Sequence, residues 1–250
     1  MDPLTIAAAG GMRARMEALE MLANNLANAA TAGFKLDRES YSLYVAPEAL
    51  DPALAGWSPA PSLLPVIERH WTDFRQGALK PTGNPTDLAI SGPGFFVVEG
   101  PRGPLYTRNG AFRLSPAGVL ETGEGYAVRA VGGGRIRASG RGPIEISPQG
   151  EVRQGGQLLG RLEVLSFSRP EALSKVGHNY FRAADPGLRP APASGYAIEQ
   201  GKLESSNVAA AEAAVRLINI LRQFEMLSRA AALGGEMNRR AVEELAKVAP

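Results

Sequence analysis

The chain has no cysteine among its 250 residues, which excludes a disulfide framework, a zinc–thiolate site and a cysteine nucleophile. It has only two histidines, His70 and His178, far apart and without a second ligand at metal spacing. Charge of one sign is scarce. Against 27 Lys and Arg stand 25 Asp and Glu, a net charge of +2, and no basic run occurs, so nucleic acid is not an expected partner. No stretch of about 18 apolar residues is present, so no membrane-spanning helix is expected. The opening "MDPLTIAAAGGMRARMEALE" starts acidic, breaks its apolar run at Gly10-Gly11 and places its arginines afterwards. That is the reverse of a secretory leader, and a protein leaving the cytoplasm with this start is expected to use another route.

Catalytic motifs are equally sparse. "VGGGRIR" (Val131 to Arg137) lacks the Gly-Lys-Ser/Thr ending of a phosphate loop and reads as a hairpin turn. There is no G-x-S-x-G for a serine hydrolase. Asp73, Asp87 and Glu121 are carboxylates that a glycosidase pair would draw on, but nothing places any two of them together. The expectation is a non-enzyme with no cofactor, metal or small-molecule substrate.

What is abundant is punctuation: 29 glycines and 19 prolines point to many turns and a β-rich body. In the middle, "DLAISGPGFFVVEG" (Asp87 to Gly100) reads as two strands around Gly92-Pro93-Gly94. "LYTRNGAFRL" (Leu105 to Leu114) carries Asn109-Gly110, a strong hairpin signal. "LSPAGVLE" and "ISPQGEVR" echo each other, each with a Ser-Pro-x-Gly turn whose Pro is second and Gly fourth, as a type I turn prefers. "GRLEVLSF" (Gly160 to Phe167) alternates like one strand. Phe95 and Phe96, adjacent on a strand, point to opposite faces, one toward a core and the other toward an interface.

The two ends differ from the middle. Met12, Met16, Leu19, Ala23, Leu26 and Ala30 fall at alternating steps of four and three, the stripe of a helix packed along another helix. Gly33 supplies a left-handed stop, with Phe34 placed to fold back. Asn24, Asn25 and Asn28 centre about 180° from that stripe. They either meet another molecule or face water at the helix end. At the other end, Leu203 to Leu233 runs without glycine or proline, with Ser205, Ser206 or Asn207 as N-cap. Leu217, Ile220, Phe224, Leu227 and Ala231 repeat the three-four spacing. The expected fold is α+β: discontinuous terminal helices forming a coiled-coil pair around a central β-rich domain of hairpins. The boundaries are 1–34 for the first helix, 35–80 for an extended linker with short strands, 81–202 for the β domain and 203–250 for the last helix. Gly234-Gly235 is expected to interrupt that helix before a short second piece, and the proline-rich stretch from Ala46 to Pro65 has no assigned path.

Four segments in order carry a resemblance: "NNLANAATAGFK", "GNPTDLAISGPGFFVV", "YTRNGAFRLSPAGVL" and "GKLESSNVAAAEAAVRLINILRQFEM". Together they resemble the flagellar rod and hook family of axial proteins, and the length and "RQFEM" favour a rod subunit, of the proximal-rod branch before the distal. The resemblance implies a building block of the drive shaft that carries torque across the periplasm. It also implies export by the flagellar type III apparatus, and assembly with copies of itself and other rod and hook axial proteins in the basal body. Asn24, Asn25, Leu26, Asn28, Gly33, Phe34, Asn207, Leu217, Ile220 and Phe224 are then the expected assembly residues. Two other classes fit parts of the pattern: a soluble β-rich protein that binds or cleaves cell-wall glycan, and a phage-tail or adhesin subunit.

Overall fold

The computed structural model describes residues 3–45, 63–138 and 142–248. Most of the proline-rich stretch, through residue 62, lies outside them. The chain divides into two compact units. The first is built from α1 (Pro3–Ala27), the strands β1 (Asp37–Val45) and β2 (Leu63–Thr72), which pair as a ribbon, and α2 (Ala210–Val248). None of the helices among the described residues is long and apolar enough to cross a membrane.

In this unit α1 and α2 lie side by side. Gly11 faces the Leu227 side chain, while Asn25 bonds the start of β1, from which Glu39 reaches Arg216. Moving back along α1 thus means moving forward along α2, so the pair is antiparallel. The inward row of α2 is Ala213, Leu217, Ile220, Phe224, Leu227, Ala231 and Gly234, buried or half-buried at three-four spacing as the pattern predicts.

The inward row of α1 differs from the expected one. Met16 is 54% exposed and Ala23 and Ala30 are also exposed, whereas Ala8, Gly11, Ala14, Ala18, Leu22 and Asn25 are buried. Small side chains let the two backbones come close, and a β-carbon at Gly11 would already sit 3.1 Å from Leu227 Cδ1. Area alone would favour burying methionine, but close packing against α2 selects the small row. Two boundaries also move. Lys202–Glu204 is a strand, not helix, because it pairs with Leu79–Pro81, so α2 begins at Ala210. At its far end α2 runs unbroken through Gly234-Gly235. A helical glycine costs about 1 kcal/mol against alanine, and the helix carries that cost here, with Gly234 on the buried row.

The second unit holds β3 (Leu79–Pro81), β4 (Leu88–Ser91), β5 (Phe95–Gly100), β6 (Gly103–Thr107), β7 (Arg113–Leu114), β8 (Leu120–Glu121), β9 (Ile144–Ile146), β10 (Glu151–Gln154), β11 (Gln157–Arg161), β12 (Val164–Ser166), β13 (Leu173–Lys175), β14 (Tyr180–Ala183), β15 (Ala191–Pro192), β16 (Ala197–Gln200) and β17 (Lys202–Glu204). Six of them form an antiparallel sheet in the order β13-β14-β6-β5-β12-β15. Smaller ladders join β9-β10-β11, β4-β16, β3-β17 and β7-β8.

The strand β5 lies between two cores. Phe96 and Val98 point into one with Leu88, Ile90, Phe112 and Leu162. Phe95 and Val97 point into the other with Tyr106, Phe167 and Phe181. Phe74, Phe95 and Phe181 meet edge to face, at centroid separations of 5.3 and 4.9 Å about Phe74. The two phenylalanines do face opposite ways, but both are core; neither covers an interface. Each such burial is worth about 1.5–3 kcal/mol.

The paired Ser-Pro-x-Gly segments are the same turn used twice. In each, the glycine amide donates to the serine carbonyl at 2.8 Å and the serine hydroxyl accepts the following amide. They close the β7–β8 and β9–β10 hairpins, and Val131 to Arg137 is likewise a turn, with Ala130 N donating to Gly134 O. "GRLEVLSF" splits into β11 and β12, because Leu162 leaves the ladder to bridge Ala130. Asn109-Gly110 is not a hairpin: β6 pairs with β5 and β14 instead. Gly110 serves a close approach, since a β-carbon there would lie 1.7 Å from Leu88 O, and its carbonyl accepts the Leu88 amide at 3.0 Å.

Candidate assembly interface

The expected assembly residues fall into two places. In the first unit, Asn25 is 4% exposed and its amide is fully used within the chain: Nδ2 donates to Asp37 O at 2.8 Å and Oδ1 accepts Asp37 N at 2.9 Å. This two-bond clamp imitates a strand partner and holds the start of β1 against α1. Asn25 therefore does not present its amide outward, contrary to expectation, because the row it shares with Leu22 and Ala18 is the buried one. Asn24 is exposed, and Leu26, Leu217 and Phe224 are half-buried, with Ile220 buried. Arg216 pairs at 2.9 Å with Glu39, whose side chain is nearly buried, adding a second tie between β1 and α2 that the sequence pattern did not signal.

The second place lies in the other unit, where the stem after α1 (residues 28–36) meets the stem before α2 (residues 204–208). Asn28 starts the N-terminal stem by accepting the Thr31 hydroxyl and amide, each at 3.1 Å. Gly33 is left-handed as expected, with φ +67°, but it sits in this stem and not at the end of α1. A side chain there would collide with Asn109 N at 2.3 Å, and the Gly33 amide donates to Glu204 O at 2.7 Å. Phe34 is buried, with the Lys175 ammonium 4.4 Å from its ring centre. Asn207 accepts Leu36 N at 2.8 Å and donates to Asp73 O and Arg75 O, so it splices three chain segments instead of capping a helix.

Beneath these contacts lies a group of buried charges. Lys35 and Glu204 side chains are fully buried and Arg108 nearly so. Glu204 Oε1 accepts from Lys35 Nζ at 2.5 Å and from Gly77 N at 2.9 Å, and Oε2 accepts from Arg108 at 3.3 Å. Lys35 also donates to Arg75 O, and Arg108 to Ile90 O and Gly92 O. Burial pushes the Lys35 ammonium below its ordinary value, although Glu204 pulls the other way, and burial likewise lowers Arg108. On the far side, His178 and Asn179 adopt positive φ of 47° and 62°, and Asn179 uses the resulting turn to donate to Ala32 O. Strain of this kind persists only where surrounding contacts over-determine it.

Both stems are held within the second unit by contacts inside the chain, and comparison with known proteins gives the family. Family models match at residues 7–35 ("Flagella basal body rod protein"), 89–154 ("Flagellar hook protein FlgE/F/G D1 domain") and 199–244 ("Flagellar basal body rod FlgEFG protein C-terminal"). These define a structural subunit of the bacterial flagellum, not an enzyme. The flagellar basal-body rod protein FlgF of Caulobacter vibrioides is 38% identical, covering 92% of both chains. FlgG of Agrobacterium fabrum is 34% identical over 95% of this chain and 97% of its own, and FlgG of Bacillus subtilis 28% identical over 88% and 90%. The chain belongs to the flagellar basal-body rod protein family, and its place is the flagellar basal body. Each matched segment contributes one member of the buried charge group: Lys35, Arg108 and Glu204.

Proposed function

We propose that the chain builds the rod by lateral packing of its terminal helices, as a coiled-coil pair, with those of neighbouring copies and of other rod and hook axial proteins. It reaches that position through the flagellar type III export apparatus and, once assembled, carries torque as part of a shaft across the periplasm. The observation that supports this reading is a second apolar row on α2. While Ile220, Phe224 and Leu227 turn inward, Val215, Ile218, Leu221, Met226, Leu233 and Met237 are exposed. A helix that packs on one side only keeps its outer face polar, and large apolar side chains gathered on an exposed face are suited to protein contact. Asn24, exposed beside the clamp of Asn25, is suited to fix register with a neighbour by hydrogen bonds that carry no charge.

The test separates the two rows. Ile218→Asp and Met226→Asp on the exposed row are expected to leave the unfolding midpoint of the purified chain within about 0.5 kcal/mol of wild type. In cells whose only copy carries either change, rods and swimming are expected to be lost. Ile220→Asp on the buried row is expected to lower the stability of the helix pair itself. Normal rods from the Ile218→Asp chain overturn the reading.

A further inference from the structure

The two stems are separated by most of the chain yet share one buried carboxylate. Among the described residues, Glu204 is the one acidic side chain within ion-pair distance of both Lys35 and Arg108. The desolvation of a buried charge is offset only by a close partner and further hydrogen bonds, so removing one member leaves the rest strongly unfavourable. Withdrawing the C-terminal stem would leave two cations, Lys35 and Arg108, buried near one another without the carboxylate they share, with Asp73 still acting on Lys35 alone. Withdrawing the N-terminal stem would take from Glu204 its nearest donor, and from Glu204 O and Asn207 Oδ1 the Gly33 and Leu36 amides.

We propose that the Lys35–Glu204–Arg108 group is an interlock that makes seating of the two stems in the β domain a single step. The stem after α1 and the stem before α2 dock together or not at all. Each stem also has a bond that does not involve the other: Phe34 N donates to Thr31 O within the first, and Ser205 N donates to Ala78 O beside the second. If the stems seated separately, these two amides would open separately.

Hydrogen exchange on the full chain reads both amides. Glu204→Gln, on the C-terminal stem, is expected to speed exchange at Phe34 by about tenfold or more, and Lys35→Met, on the N-terminal stem, to do the same at Ser205. Lys35→Arg keeps the charge and is expected to hold Ser205 within about threefold of wild type. The Val98 amide on β5 stays protected in all three. Acceleration confined to the stem that carries the substitution overturns the interlock. Wild type supplies a second measurement that needs no variant to fold. In low guanidinium the Phe34 and Ser205 amides are expected to converge on one opening curve, and two distinct curves overturn the proposal.

Discussion

Replacing Asn25 by alanine tests whether this asparagine serves the fold or the surface. The substitution removes both bonds that the buried Asn25 amide makes to the backbone N–H and C=O of half-buried Asp37. An unsatisfied buried polar group costs about 1–3 kcal/mol; Asp37 is half-buried, so the lower end applies and the two together cost about 2 kcal/mol. Alanine returns at most about 0.7 kcal/mol through better helix propensity. The net loss of at least about 1.3 kcal/mol corresponds to close to tenfold faster exchange at the Asp37 amide, or more. Asn24→Ala, one residue away and exposed, is expected to change stability by less than about 0.5 kcal/mol. Amide exchange at Asp37 and denaturant melts of the full chain check both. An Asp37 amide as protected in Asn25→Ala as in wild type would refute the clamp.

Gly110→Ala is expected to lower the melting midpoint of the β domain sharply, because its β-carbon would fall 1.7 Å from the Leu88 carbonyl oxygen. Gly123→Ala, which meets nothing within 4 Å, is the matched control and should be near neutral. Burial of the Lys35 ammonium sets an alkaline trend: the unfolded chain holds that proton up to the ordinary lysine value of 10.5, the folded chain releases it earlier, and stability from this group rises with pH across that window. Tyr106 and Tyr180, both raised by burial, act oppositely and withdraw stability above the ordinary tyrosine value of 10.0. As pH approaches 10 from below, denaturant midpoints should rise in wild type relative to Lys35→Arg, whose guanidinium keeps its proton.

The inward row of α2 was readable because leucine, isoleucine and phenylalanine carry it at heptad spacing. The row of α1 was not, because alanine and glycine weigh little in any hydropathy pattern, and Met12 and Met16 drew the stripe to the wrong face. Asn109-Gly110 misled because glycine has two uses. A turn needs its left-handed freedom, while Leu88 needs only its missing side chain, and a single sequence does not separate them. The charge group was hidden by distance along the chain, since Lys35 and Glu204 are 169 positions apart. A signal was nonetheless present. "AGFK", "YTRNG" and "KLESSN" each set a charged residue among small, apolar or turn-forming neighbours, and each proves to supply one member of the group.

The strand at the centre of the β domain has a further consequence. In most half-buried strands a slip of one position turns apolar side chains out to water, and that penalty fixes alignment. Phe95, Phe96, Val97 and Val98 are all buried, so turning these four over exposes none of them, and hydropathy resists a slip only where Glu99 would enter the Val98 site. Shape adds to that. At one end Gly94 fits a notch where a β-carbon would lie 2.7 Å from Val164 Cγ1, and at the other Gly100 fits one 2.6 Å from Leu105 Cδ1. Shifting the strand either way by one residue would drive Phe95 or Pro93 into the first notch, and Pro101 or Glu99 into the second. The two glycines act as a pair of end stops, and the strand between them is free to be apolar on both sides.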